Sequence, residues 1–180
     1  MRFTETALSG VLVVEGEPHA DERGAFVRTY CRREFAQRGI AFEVVQSNLS
    51  ANHRRGTLRG LHYQRAPHAE AKLVSCVAGA IYDVCVDLRA GSPTRGRWLA
   101  TTLRAGEARA LFVPEGFAHG FQTLTDDTVV AYQMGDYHAP AAAGGVRYDD
   151  PELAIDWPIA DAIVSDRDRP LPLLAAALAQ

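Results

Sequence analysis

An antiparallel all-β domain, with a jelly roll as its architecture, is the fold that this 180-residue chain predicts. Three observations point there. Short apolar runs rich in Val, Ile, Leu and aromatic residues are punctuated by Gly and Pro, with turn signals recurring at roughly 8 to 12 residue spacing. One such run, AIYDVCVDLR (80–89), alternates with a period of two: Ile81, Asp83, Cys85 and Asp87 fall on one face, and Tyr82, Val84, Val86 and Leu88 on the other. Helix signals are few.

Taken in order, GVLVVEG (10–16) reads as the first strand. CRREFAQRG (31–39) reads as a short helix stopped by Gly39. FEVVQSNLS (42–50) reads as a strand, and RGLHYQ (59–64) is strand-like. KLVSCVAGAIYDVCVDLR (72–89), GRWLATTLRAG (96–106), ARALFVPEG (108–116) and GFQTLTDDTVVAYQM (120–134) read as further strands. APAAAGG (139–145) reads as a small flexible loop, and LPLLAAALAQ (171–180) as a C-terminal helix. No repeat, linker or low-complexity stretch divides the chain, so a single domain over 1–180 is expected.

Composition narrows the function classes. Hydrophobic residues make up 47% and charged residues 23%, ordinary for a globular protein. The net charge of −3, with basic residues scattered, gives no electrostatic footprint for nucleic acid. Cys31, Cys76 and Cys85 are an odd set with no CxxC spacing, which argues against a disulfide framework or a zinc ribbon. The N-terminus MRFTETALSG lacks the apolar stretch of a signal peptide. No apolar run approaches the ~20 residues that span a bilayer. A cytoplasmic protein without a membrane partner is therefore expected.

Four polar features stand out against this β pattern. His62 and Lys72 lie amid aliphatic and aromatic residues of RGLHYQRAPHAEAKLVSC (59–76). Strict alternation from Arg59 puts Arg59 and Leu61 on one face and Gly60 and His62 on the other. Lys72 either guards a solvated strand end or points into the barrel, where a cation could stabilise developing negative charge. VPEGFAHGF (113–121) sets His119 just after a turn. Tyr132 lies in the apolar run VVAYQMGDY, and Asp166 and Asp168 lie among the arginines of SDRDRP (165–170).

Together with DERGAFVR (21–28), VVQSNLS (44–50), GTLRGLHYQ (56–64), the long run 71–98, LFVPEGFAHGFQTL (111–124), YQMGDY (132–137) and YDDPELAIDWP (148–158), these features cover nearly the whole chain. In that order they resemble the dTDP-4-dehydrorhamnose 3,5-epimerase family, the RmlC-type cupins. The resemblance implies a cupin jelly roll, a homodimer with the nucleotide site near the subunit interface, no cofactor and no metal. It implies a nucleotide-linked, dTDP-type 4-keto-6-deoxy sugar as substrate, epimerised at C3, C5 or both. By position, it makes His62 the base, Asp168 its orienting carboxylate, Lys72 the enolate stabiliser and Tyr132 the acid on the opposite face. Arg23, Gln46, Ser47, Asn48, Arg59, His119, Tyr137, His138 and Arg167 match substrate-binding positions, and Asp83 matches a site residue near the histidine.

The sequence departs from the family pattern around the nucleotide. Arg28 stands where an acidic residue is common, Ala143 where a glutamate is, and His138 where a second aromatic stacks on thymine. Gln133 follows the tyrosine in place of a lysine, and Arg167 replaces a lysine before the aspartate. Two other classes compete. A metal-dependent cupin would use His62, Glu70 and His119 as a two-His, one-carboxylate set. Against it, Gln64 occupies the place of the second histidine of the first metal motif, and Lys72 sets a positive charge at the metal's position. A non-catalytic sugar-nucleotide-binding relative is the third class; the intact set of His62, Lys72, Tyr132 and Asp168 argues against it.

Overall fold

The computed structural model describes residues 1–179. In chain order the strands are β1 (Arg2–Glu5), β2 (Leu12–Glu15), β3 (His19–Asp21), β4 (Gly24–Phe26), then helix α1 (Arg32–Gln37) and β5 (Gln46–Asn52). β6 (Thr57–Gln64), β7 (Lys72–Ala78), β8 (Ala80–Asp87), β9 (Trp98–Arg104), β10 (Arg109–Val113), β11 (Phe117–Thr123) and β12 (Thr128–Met134) follow. β13 (Ala143–Gly145), β14 (Ile163–Val164) and helix α2 (Leu174–Leu178) complete the described chain.

Two sheets face each other. The first runs β1-β2-β10-β7-β12-β5. The second runs β13-β6-β11-β8-β9, with β14 added beside β6. All pairings are antiparallel except β14 with β6. The period of two sorts side chains into three layers. Val74, Cys76, Leu111, Val113 and Val130 of the first sheet meet Ile81, Cys85, Leu103, Phe117 and Phe121 of the second. Behind the second sheet, Val84, Val86, Leu61 and Tyr63 pack under the C-terminal segment through Leu153 and Leu174. Behind the first, Leu73, Ala110 and Phe112 pack under Phe35 of α1 and Phe42 of the loop that follows it. The faces read from 80–89 are those found, and both are buried because a layer covers each, Asp83 and Asp87 sharing theirs with Ile81 and Cys85.

Several sequence expectations need correction. The strand expected from Phe42 begins at Gln46, because its partner β12 ends opposite at Met134; Phe42 and Val44 instead cover the first sheet as loop residues. The runs 72–89 and 120–134 are each two strands, broken at Gly79 and at residues 124–127. The loop expected over 139–145 ends in β13, which pairs with β6 behind the site. Both short helices form where expected, although Gln180 lies outside the described residues. β1, β3, β4 and β14 carried no strand signal strong enough to be read.

The loop after β8 is organised by one buried carboxylate. Asp87 accepts hydrogen bonds from Arg89 Nε (2.9 Å), Arg89 Nη2 (2.7 Å), Ser92 Oγ (2.6 Å) and Thr94 Oγ1 (2.7 Å). Burial alone would raise its pKa, but these donors outweigh burial and hold it below the usual carboxylate range. A depressed folded-state pKa gives stability that is present above the unfolded value and lost as pH falls through the folded one. Asp87→Asn is expected to cost about 3 kcal/mol at pH 7, since it breaks a buried ionic network. It is also expected to flatten the loss of stability between about pH 5 and pH 2. Urea denaturation across that range checks both; equal acid sensitivity in wild type and variant would refute the assignment.

Candidate active site

The apolar interior fills only part of the space between the sheets. The rest is a cavity of about 380 Å³, lined from both walls by polar side chains. Alternation sends His119 of β11 inward with Phe117 and Phe121, and sends Lys72 of β7 and Tyr132 of β12 inward with Val74 and Val130.

β6 reaches the cavity by a different device. His119 pairs with His62, but Phe121 pairs with Arg59, so Gly60 and Leu61 oppose the single residue Gly120. This β-bulge overturns the parity expected from strict alternation: Arg59 and His62 both line the cavity while Leu61 packs behind. Glycine is required on both strands. Gly60 has φ +129°, and a Cβ there would sit 2.6 Å from Gly120 Cα; a Cβ on Gly120 would sit 2.6 Å from the Arg59 carbonyl oxygen.

Asp168 arrives from far along the chain. β14 runs parallel to β6, with Ile163 opposite Thr57 and Val164 opposite Leu58. The next turn is closed by bonds from the Asp168 amide to the Ser165 carbonyl (3.1 Å) and hydroxyl (3.2 Å). The carboxylate then meets His62 Nε2 at 2.7 Å through Oδ1 and accepts from the Gly60 amide at 3.3 Å through Oδ2. Burial pushes the Asp168 pKa up, but the His62 hydrogen bond and charge, the Gly60 amide and the Ser165 hydroxyl bring it below the ordinary carboxylate value. An ionised Asp168 only accepts, so Nε2 carries the imidazole proton and Nδ1 keeps a lone pair for a base.

The opposite wall supplies a cation and an acid. Lys72 is buried, with Nζ 3.0 Å from Glu70 Oε1. It is therefore neither a solvated strand end nor an edge guard. Tyr132 stands edge-on to His119, with ring centroids 5.8 Å apart. Its burial, with a further contribution from Asp83, raises the phenol pKa well above its ordinary value, against a smaller opposing effect of Arg59. Tyr132 is thus a protonated donor at neutral pH. His119 Nε2 is tied to buried Asp83 at 2.8 Å, and Arg59 Nε donates to Asn52 Oδ1 at 2.8 Å.

Among the expected site residues, the cavity gathers His62, Asp168, Lys72, Tyr132, Asn48, Arg59, His119, His138 and Arg167. Four others do not line it. Gln46 accepts from the His138 amide at 3.3 Å at the rim, and Ser47 alternates away from Asn48 on an edge strand. Tyr137 is largely exposed, and Arg23 sits on the β3–β4 hairpin, ion-paired with Asp21. Sequence reasoning does not assign Ser50 or Ser165 to the lining, nor give Glu70 a partner in Lys72, whereas Ala143, placed by it at the nucleotide, does line the cavity. The spacing of Glu70 and Lys72, two apart on extended chain, was the one available signal for that pair. Three histidine or carboxylate positions of the metal alternative are committed elsewhere: His62 to Asp168, His119 to Asp83, Glu70 to Lys72. Among the described residues no three His, Cys, Asp or Glu side chains are grouped to hold a metal ion.

A jelly roll with a histidine–carboxylate pair on one wall and a lysine and a phenol on the other defines a cupin-type fold equipped for acid–base chemistry. The family model for dTDP-4-dehydrorhamnose 3,5-epimerase matches residues 5–176, and the chain belongs to that family. The dTDP-4-dehydrorhamnose 3,5-epimerase of Methanothermobacter thermautotrophicus is 42% identical over 93% of this chain and 91% of its own length. A dTDP-4-dehydrorhamnose 3-epimerase from Streptomyces niveus is 42% identical over 98% of this chain and 86% of its own. The crystal structure of the Bacillus anthracis 3,5-epimerase with TDP and pyrophosphate bound superposes with a TM-score of 0.93 at 42% identity. That match covers 96% of this chain and 98% of the other.

Proposed function

We propose that this protein epimerises a dTDP-linked 4-keto-6-deoxy sugar at a carbon beside the ketone, as a single-domain enzyme over 1–180. The observation that carries the reading is the division of the cavity: His62–Asp168 on the second sheet, Lys72 and Tyr132 on the first. His62 removes the proton next to the ketone through Nδ1, and the electron pair moves onto the ketone oxygen as an enolate. Asp168 holds the imidazole and balances the charge it gains. Lys72 meets the enolate oxygen, an oxyanion role. Tyr132 delivers a proton to the far face, so the centre inverts. A lone base would return the proton to the side it left.

Arg59, Asn48, His119 and Arg167 line the space around the sugar and diphosphate; the fixed forks of Arg59 and Arg167 suit phosphate oxygens. His138, a cavity residue, is offered to the base, with Gln46, Ser47 and Tyr137 completing the rim. Ala143 and Arg28 leave base recognition open to a nucleotide other than dTDP. Arg23 joins the site only from a second copy of the chain. The support is the β3–β4 hairpin, bonded within the described residues only to itself, with all six strand residues exposed. Phe26 is 78% exposed and Leu49, on edge strand β5, is 71% exposed. Exposed apolar side chains on a sheet edge and on a hairpin outside both main sheets mark an interface. Among the described residues no helix is long and apolar enough to cross a membrane.

The test is turnover of dTDP-4-keto-6-deoxyglucose followed by NMR, with UDP and GDP analogues alongside and sedimentation of the same sample. Inverted product from the dTDP sugar and a two-chain species are expected. No inversion with any of the three nucleotides would overturn the activity, and a monomer would overturn the interface.

A further inference from the structure

Lys72, the only lysine of the chain, is buried and lines the cavity, and its placement has an evident cause in the neighbouring sequence. Residues 70 and 72 are two apart on extended chain, so both side chains project the same way. Ala71 is pinned between them, its carbonyl accepting from the Gly135 amide at 2.8 Å. Lys72 itself is fixed by register on both sides, opposite Val113 of β10 and Met134 of β12. The backbone is therefore rigid, whereas the four-carbon side chain is not. Glu70 Oε1 stands 3.0 Å from Nζ, and the side chains of both residues are more than nine-tenths buried. Both line the cavity.

We propose that Glu70 is a positioning residue for the reaction: it holds the Lys72 ammonium at the point on the cavity wall where the enolate oxygen forms. This rests on the enolate-stabilising role of Lys72 given above. An ammonium has three donors. One is taken by Glu70, which sets the direction of the other two toward the cavity. A buried cation with no partner would fold away or attract water; the carboxylate holds it aimed before substrate arrives, and preorganised charge of this kind is what lowers the barrier to an oxyanion. The neighbouring carboxylates are separately engaged, Asp168 with His62 and Asp83 with His119. Glu70 is thus the carboxylate assigned to the cation alone.

Because Glu70 acts through Lys72 and not on the nucleotide, its removal separates turnover from binding. Glu70→Ala and the isosteric Glu70→Gln are compared with wild type by solvent deuterium exchange into dTDP-4-keto-6-deoxyglucose, for kcat and KM, and by calorimetry with dTDP. Glu70→Ala is expected to lower kcat about 100-fold, within the range for losing one oxyanion donor. Glu70→Gln, which keeps an oxygen acceptor for the ammonium, is expected to recover most of this and lie about 3- to 10-fold below wild type. In both, the Kd of dTDP stays within about twofold. Wild-type kcat in either variant overturns the proposal. So does a loss of dTDP affinity as large as the loss of kcat, or a Gln variant no better than Ala. Should Glu70→Ala not fold, the Gln variant alone decides by its kcat. Failure of wild type to exchange would fault the assigned activity and not the role of Glu70.

Discussion

His62→Ala is expected to slow deuterium exchange at the carbon beside the ketone by about 10³-fold or more while leaving the affinity for dTDP unchanged. Two losses combine. The imidazole lone pair that receives the proton is gone, and a positioned general base is worth roughly 10² to 10⁴ in rate. Asp168 also loses the partner that, with the Gly60 amide and Ser165, holds its pKa low. The carboxylate lies behind the vacated imidazole, bonded in the wild type to Nε2 and not facing the substrate side, so it stands too far from the carbon to be an adequate replacement base. His62 itself is half-exposed, 45% at the side chain, at the open side of the cavity, so its removal empties little of the core and the fold should persist. NMR exchange with calorimetry for dTDP checks this. Exchange at wild-type rate would remove His62 from the chemistry, and a parallel loss of binding would make it a binding residue instead.

Tyr132→Phe is expected to uncouple exchange from inversion. The variant keeps His62, Asp168 and Lys72, so the proton still leaves and the enolate still forms. Return from the far face is lost, because phenylalanine has no proton to give. Inversion should fall by about 10² to 10⁴, the value of a general acid, while deuterium continues to enter on the original face. The phenol suits this task because burial keeps it protonated at neutral pH. Removing one hydroxyl from a ring that packs against the interior and stands edge-on to His119 leaves the packing of the ring in place. Chiral analysis of recovered sugar by NMR distinguishes the outcomes. Inversion at the wild-type rate would show that the second proton comes from water or another side chain.

The sequence carried most of the sandwich because alternation is local. Ile81 and Cys85 against Val84 and Val86 sort into layers with no knowledge of partners, whereas Lys72 reads equally as a strand-end guard or a cavity residue until its burial is seen. What was not legible depends on contacts between distant segments. The bulge at Gly60–Leu61 exists only because Gly120 lies opposite, so Arg59 was assigned to the wrong face. β13 hides in an Ala- and Gly-rich stretch whose order comes from β6 rather than from its own propensity. Asp168 was reached through resemblance; the physical cause, a two-residue parallel strand beside β6, leaves almost no pattern in sequence. Glu70 was weighed as a metal ligand, since sequence spacing alone does not reveal that its carboxylate faces Lys72. Arg23 is the converse case: resemblance sets it at the substrate, and a single chain leaves it on an exposed hairpin.

The central claim is that a base on one sheet and an acid on the other invert a carbon through an enolate. The most direct measurement is a single turnover of wild-type enzyme in D2O with the protiated dTDP-4-keto-6-deoxy sugar, read by NMR at C3 and C5. The account predicts that every inverted centre carries deuterium. An inverted centre that keeps its original hydrogen would contradict it, because that hydrogen could not have passed from His62 to solvent while Tyr132 supplied another.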